Sequence, residues 1–152
     1  MTATERLREL DLEIPEPWAP VANFVLAVRT GNLVFISGHG PRRSDGTFVT
    51  GKLGRDRSIE EGYEAAKLTA LQCLASLQAE VDSLDRVRRI VKLLVMVNCT
   101  EDFVEHPAVA NGASDLLVDL FGDSGRHARS AVGMQMLPQN IAVEVEMVVE
   151  VE

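Results

Sequence analysis

Apolar positions along the 152-residue chain change their spacing several times, and each change predicts an element boundary. Phe24–Arg29 (FVLAVR) and Leu33–Gly38 (LVFISG) are β-rich runs on either side of Thr30-Gly31-Asn32, a short glycine-containing turn, so they predict a hairpin. Ser44-Asp45-Gly46-Thr47 is a second tight turn and predicts a short third strand at Phe48-Val49. At Ser58 the spacing lengthens. Ser58-Ile59-Glu60-Glu61 is a capping box, and Ile59, Tyr63, Ala66, Ala70, Cys73 or Leu74, Leu77 and Val81 then recur every three or four residues, which predicts a long amphipathic helix. Residues 90–98 (IVKLLVMVN) are too apolar for a half-exposed strand and predict a central one buried on both faces. A second helix is predicted from near Pro107 to near Gly122, with Val109, Ala113, Leu116, Leu117 and Leu120 on its inner side. The chain closes on two more runs, SAVGMQML and IAVEVEMVVEV, joined by Pro138-Gln139-Asn140. In the last run Ile141, Val143, Val145, Met147 and Val149 share one face, and Glu144, Glu146 and Glu150 the other.

The resulting order is βββαβαββ. It predicts an α+β fold with two helices on one face of a mostly antiparallel sheet, as a single domain over residues 21–152. Residues 1–20 precede it as an arm, because the proline-rich stretch PEPWAP (15–20) favours extended backbone; Trp18 is its expected anchor. Three glutamates on the closing strand cannot be buried against an apolar layer without partners, so the second sheet face is either wet or meets a surface with complementary groups.

Charge and cysteine content narrow the setting. The net charge of −8 opposes phosphate backbones and anionic lipid, and no run of five like charges supplies a local basic patch, so neither a nucleic-acid nor a membrane partner is expected. Cys73 and Cys99 lie within apolar periodic segments and fit no metal-ligand spacing, which predicts reduced core thiols and a cytoplasmic protein. The N-terminal segment carries acids where a signal peptide needs an apolar centre. Against this acidic background, residues 126–138 (RHARSAVGMQMLP) set Arg126, His127 and Arg129 directly before a strand. Arg129 could be a ligand-binding arginine or a surface one paired with Asp123 or Glu146. Arg126 reads as a solvated loop charge, and His39 and His127 as hydrogen-bonding bystanders.

Three stretches carry a resemblance to a known family. Ser37-Gly38-His39-Gly40-Pro41 resembles the Ser-Gly-x-x-Pro of the Rid (reactive intermediate deaminase, YjgF-type) family; Ala128-Arg129-Ser130 with Leu137-Pro138 resembles its C-terminal signature; and residues 141–149 resemble its acidic closing strand. The resemblance spans roughly residues 20–152. It implies a chorismate-mutase-like fold, a homotrimer with clefts between subunits, and hydrolysis of enamines and imines of the 2-aminoacrylate type to 2-keto acids and ammonia. No metal or organic cofactor takes part in that reaction. Small 2-imino or 2-keto acids are the implied partners. Arg129 then matches the carboxylate-binding arginine and Glu144 the water-orienting glutamate, with Gly38 and Asn111 beside them. Two positions depart from the pattern. Ala131 stands where many members have cysteine, and Phe24 where they have a pocket tyrosine, which keeps open a non-catalytic carboxylate-binding module on the same fold. If residues 131–137 and 141–147 form a hairpin closed near Gln139, Arg129 and Glu144 lie toward one end of neighbouring strands. An endoribonuclease or translation inhibitor is the reading that the acidic charge disfavours.

Overall fold

A computed structural model describes all 152 residues. Its elements run α1 (Ala3–Glu9), β1 (Ala27–Thr30), β2 (Leu33–His39), α2 (Ile59–Val81), β3 (Val87–Asn98), α3 (His106–Phe121), β4 (Ala128–Met134) and β5 (Val143–Val151). The five strands form one sheet in the order β1-β2-β5-β3-β4, in which only β3 and β4 are parallel.

The long helix starts where its cap dictates. Ser58 Oγ accepts from Glu61 N at 3.1 Å, and the Glu61 carboxylate accepts from Ser58 N at 3.0 Å. It stops at Asp82, which adopts the left-handed conformation. Pro107 sits in the first turn of α3, and Gly122 ends the helix with a φ of 59°. The two helices pack on each other and on one sheet face. There Leu74, Leu77, Val81, Leu93, Val95, Val97, Leu117, Val145, Met147 and Val149 form one buried cluster. Alternation in β5 falls as its sequence predicts, with Val143, Val145, Met147, Val149 and Val151 buried and Glu146 exposed. No helix is long and apolar enough to cross a membrane.

Four expectations are corrected. The order is αββαβαββ, because Phe48-Val49 makes only isolated bridges, Arg42 to Phe48 and Thr50 to Ile141. A seven-residue helix lies within the segment read as an arm. Thr2 and Glu5 form its capping box, and Thr4 donates through N and Oγ1 to Asp85 at 2.9 and 3.0 Å. Two turns with few buried side chains leave too little periodicity to reveal it. Third, β3 is interior but not dry on both faces, since Lys92, Leu94 and Met96 are only half-buried opposite the helices.

Fourth, β4 and β5 do not form a hairpin, because β3 lies between them. After β4 the chain turns through Pro138–Asn140, where Gln139 and Asn140 have φ of 56° and 60°, and crosses the end of β3. Asn98, the buried last residue of β3, clamps the crossing. Its Nδ2 donates to Asn140 Oδ1 at 2.9 Å and to the Ile141 carbonyl at 3.0 Å, while its Oδ1 accepts from Lys52 Nζ at 2.8 Å. The run 87–98 pairs along most of its length on both sides, which satisfies more backbone groups than a local hairpin would.

Candidate functional site

Arg129 stands on the edge strand β4 opposite Leu93, a core residue of β3, so its side chain rises on the helix-covered face. There Nη1 donates to Asn111 Oδ1 at 2.9 Å and to Ser114 Oγ at 3.1 Å. Asn111 and Ser114 are three residues apart on α3 and therefore share a face. The network continues beyond Ser114. Its Oγ lies 2.9 Å from His127 Nε2, and His127 Nδ1 lies 2.6 Å from the Gly125 carbonyl. With Nδ1–H donating to that carbonyl, Nε2 is left to accept from the Ser114 hydroxyl, whose oxygen is free to accept from Arg129. Burial, and after it the Arg129 charge, holds the His127 imidazole below its ordinary pKa, which suits this neutral form.

The guanidinium thus rests on neutral acceptors, and none of the chain's ion pairs includes it. Asp123 pairs instead with Arg126 at 3.4 Å, in a solvated contact where the arginine side chain is 72% exposed. Arg129 therefore keeps unspent charge and further N–H donors beside a fixed support, and Arg126 does not.

Glu144 occupies the other face. It pairs in register with Met96, between the buried Val143 and Val145, so its carboxylate points away from the helices. Gly38 faces it across β2, where the register slips between Ile36 and His39. A Cβ on Gly38 would stand 2.8 Å from Glu144 Oε1, so only glycine allows the carboxylate to lie against this backbone. Burial and, secondarily, Glu146 push the Glu144 carboxyl above the usual carboxylate range, making it the stronger base.

Two pairs are therefore assembled, Arg129 with Asn111 and Glu144 with Gly38. The pairs lie on opposite faces of the sheet, and their strands are separated by β3 rather than neighbouring as the hairpin expectation had them. Neither Arg129 nor Glu144 lines any of the four main cavities. Ala131, half-buried in β4 opposite Val95, follows Arg129 on the covered face. Phe24 precedes β1, is 44% exposed, and meets Trp18 edge-on at 6.2 Å between ring centroids; Trp18 in turn meets the buried His39 at 6.0 Å. Those contacts fit the anchoring role expected of Trp18. His39 braces the Gly38 segment from beneath, its Nε2 2.7 Å from Ser76 Oγ on α2. Sequence reasoning did not single out Ser114; its three-residue spacing from Asn111 was the available signal.

Residues 4–151 match the family described as "YjgF/chorismate_mutase-like, putative endoribonuclease". The chain belongs to this family, with which the Rid resemblance agrees. It is 45% identical over 145 residues to Protein TCP17 of Trypanosoma cruzi, covering 95% of this chain and 91% of that one. It is 30% identical over 135 residues to a 2-iminobutanoate/2-iminopropanoate deaminase of Dermatophagoides farinae, covering 88% and 89%. The crystal structure of the protein Atu1372, of unknown function, from Agrobacterium tumefaciens superposes with a TM-score of 0.92 at 40% identity, covering 99% and 92%.

Proposed function

We propose that the protein hydrolyses small 2-imino acids, formed directly or from enamines such as 2-aminoacrylate, to 2-keto acids and ammonia in a cleft between subunits of a homotrimer. One observation carries the reading: Arg129 is held by Asn111 and Ser114 yet pairs with no carboxylate, which is the state of a guanidinium awaiting an anionic ligand. The 2-iminobutanoate/2-iminopropanoate deaminase relative supports the reaction class. Arg129 binds the substrate carboxylate. Glu144 accepts a proton from a water that attacks the imine carbon and passes it to the nitrogen; as the C–N bond of the tetrahedral adduct then breaks, the hydroxyl proton goes by way of Glu144 to the departing nitrogen, and ammonia leaves with the keto acid behind. A carboxyl with a raised pKa is suited to that exchange.

The opposite placement of the two pairs supports a shared cleft. Arg129 and Asn111 of one subunit would meet Gly38 and Glu144 of the next, and no single chain would hold a complete site. The test is ammonia release in the presence of an amino-acid oxidase or threonine dehydratase that generates imines or enamines. Arg129→Ala and Glu144→Gln chains should each lose most of the activity. Refolded together, they should restore about a quarter of the clefts, because random mixing joins the two intact halves that often. No restoration from folded mixed trimers would place both residues in one subunit's site. No acceleration by the unaltered protein would remove the hydrolase reading.

In that event the second reading stands, a module that binds small carboxylates without turning them over. Ala131 and Phe24 favour it, since they bring neither a thiol nor a hydroxyl to the cleft. Binding of 2-ketobutyrate without ammonia release would establish it.

A further inference from the structure

The two cysteines, both buried members of the core cluster as their sequence setting predicts, differ in what lies beside them, Cys99 keeping 8% exposure. Cys73 is fully buried on α2, its Sγ 3.5 Å from the Val145 carbonyl, and burial pushes its thiol far up. Cys99 follows the last residue of β3 and borders a cavity of about 890 Å³. Its Sγ lies 3.4 Å from Nε2 of His106, the first residue of α3. Phe103 meets the His106 ring edge-on at 5.3 Å between centroids and fixes its plane.

Lys52 also lines this cavity, with Nζ donating to Asn98 Oδ1 and to the carbonyls of Cys99 and Gln135. These are neutral oxygens, and no carboxylate pairs with the ammonium. The other charged residues at the cavity are Arg55, bonded to Asp56, Asp102, which accepts from Thr100 Oγ1 at 2.6 Å, and Glu101. Burial raises the Cys99 thiol and Lys52 acts to lower it, so the group rests protonated with a cation and an imidazole beside it. A thiol, an imidazole within reach and an open cavity are the parts of an activated nucleophile.

We propose that Cys99 is a nucleophilic modification site for small activated alkenes, α,β-unsaturated carbonyl compounds in particular, with His106 as its base. His106 Nε2 takes the thiol proton as Sγ attacks the β-carbon. A C–S bond forms, the alkene π pair shifts toward the carbonyl, and the α-carbon then takes the proton back from the imidazolium. No oxidant or further reactant is needed, and the site is independent of the deaminase reading.

Gly133 offers a way to break the dyad without touching it. A Cβ there would stand 2.5 Å from His106 Nε2 and 2.9 Å from Cys99 Sγ, so Gly133→Ala must move the ring or the thiol. The probe is N-ethylmaleimide, an activated alkene, added to the full-length native chain, with adducts located by peptide mass spectrometry. Cys99 should be labelled while Cys73 reacts only after denaturation. His106→Asn and Gly133→Ala should each slow labelling at Cys99 by ~100-fold, the lower end of what a positioned base contributes. In urea all the chains should label alike. The proposal is overturned if native Cys99 is as inert as Cys73, a comparison that needs no variant, or if folded His106→Asn or Gly133→Ala chains label as fast as the unaltered one.

Discussion

The two faces of the sheet follow opposite rules. On the covered face every large side chain of β5 is buried, α2 and α3 close the layer, and Arg129 meets its Asn111 and Ser114 supports within the same chain. On the open face Val28, Phe35 and Val132 are 53%, 46% and 38% exposed. They share that face with Lys92, bonded to Ser130 Oγ at 3.1 Å, and with the carboxylates of Glu144 and Glu146. A cavity of about 480 Å³ on this side is lined by Phe35, Ser37, Lys92, Leu94, Ser130 and Glu146 among others. A surface that mixes exposed large apolar groups with half-buried charge suits a second polypeptide better than water. The covered face packs its apolar side chains within one chain, and the open face is the surface on which an interface of the proposed trimer would be sought.

The contrast is sharpest at the two arginines before β4. Arg129→Ala should cost about 2 to 4 kcal/mol of ligand or transition-state binding, roughly 30-fold to 1000-fold, whereas Arg126→Ala should change little. Arg129→Lys should recover only part, since a point ammonium cannot form two parallel bonds. Titration with pyruvate or 2-ketobutyrate and, where turnover is seen, imine hydrolysis would measure both; equal behaviour of the two alanine variants would take the cleft away from Arg129.

Packing is the next lever. A Cβ on Gly112 would lie 1.9 Å from the Tyr63 backbone carbonyl, so Gly112→Ala must part α2 from α3. A loss of about 2 to 3 kcal/mol is expected in urea unfolding. Phe35→Glu should do the reverse, shifting light-scattering mass toward monomer while changing chain stability by about 0.5 kcal/mol or less, as exposed substitutions do. An unchanged assembly would show that this face is not the interface.

The shallowest effect is with pH. Burial lowers the pKa of His39, as it does that of His127, below the ordinary 6.5. Just below that value the unfolded chain binds protons that the folded chain refuses. Stability therefore rises with pH through this window, is fully present above it, and is lost as pH falls from about 6.5 toward the folded values. Glu144, raised above 4.5, acts in the opposite sense over the range just above that figure. Urea midpoints at pH 7.5 and 5.5 should show the fall, and His127→Asn should flatten part of it. A slope unchanged in both His39→Asn and His127→Asn would remove these imidazoles as its source.

Much of this was legible in the sequence because it depends on neighbours along the chain. The Ser58 capping box, the three-to-four spacing through Val81, and the two-residue alternation of β5 are local signals, and the elements formed where they predicted. The signature around Arg129 and the acidic strand around Glu144 likewise marked both residues before any partner was visible. Spacing could not tell which strand lies beside which. Pro138-Gln139-Asn140 reads as a hairpin turn until Asn98, some forty residues earlier, claims Asn140 and Ile141 and carries the chain across β3. That one crossing moved β5 to the middle of the sheet and set β3 between Arg129 and Glu144. The separate characters of Cys73 and Cys99 were decided in the same way, one by complete burial and the other by His106 at the start of a helix. Sequence by itself determined which segments become helix or strand and which face of each is apolar, since those follow from periodicity over a few residues. Tertiary structure alone decided strand order and the partners of each charge, because these depend on contacts between segments distant along the chain.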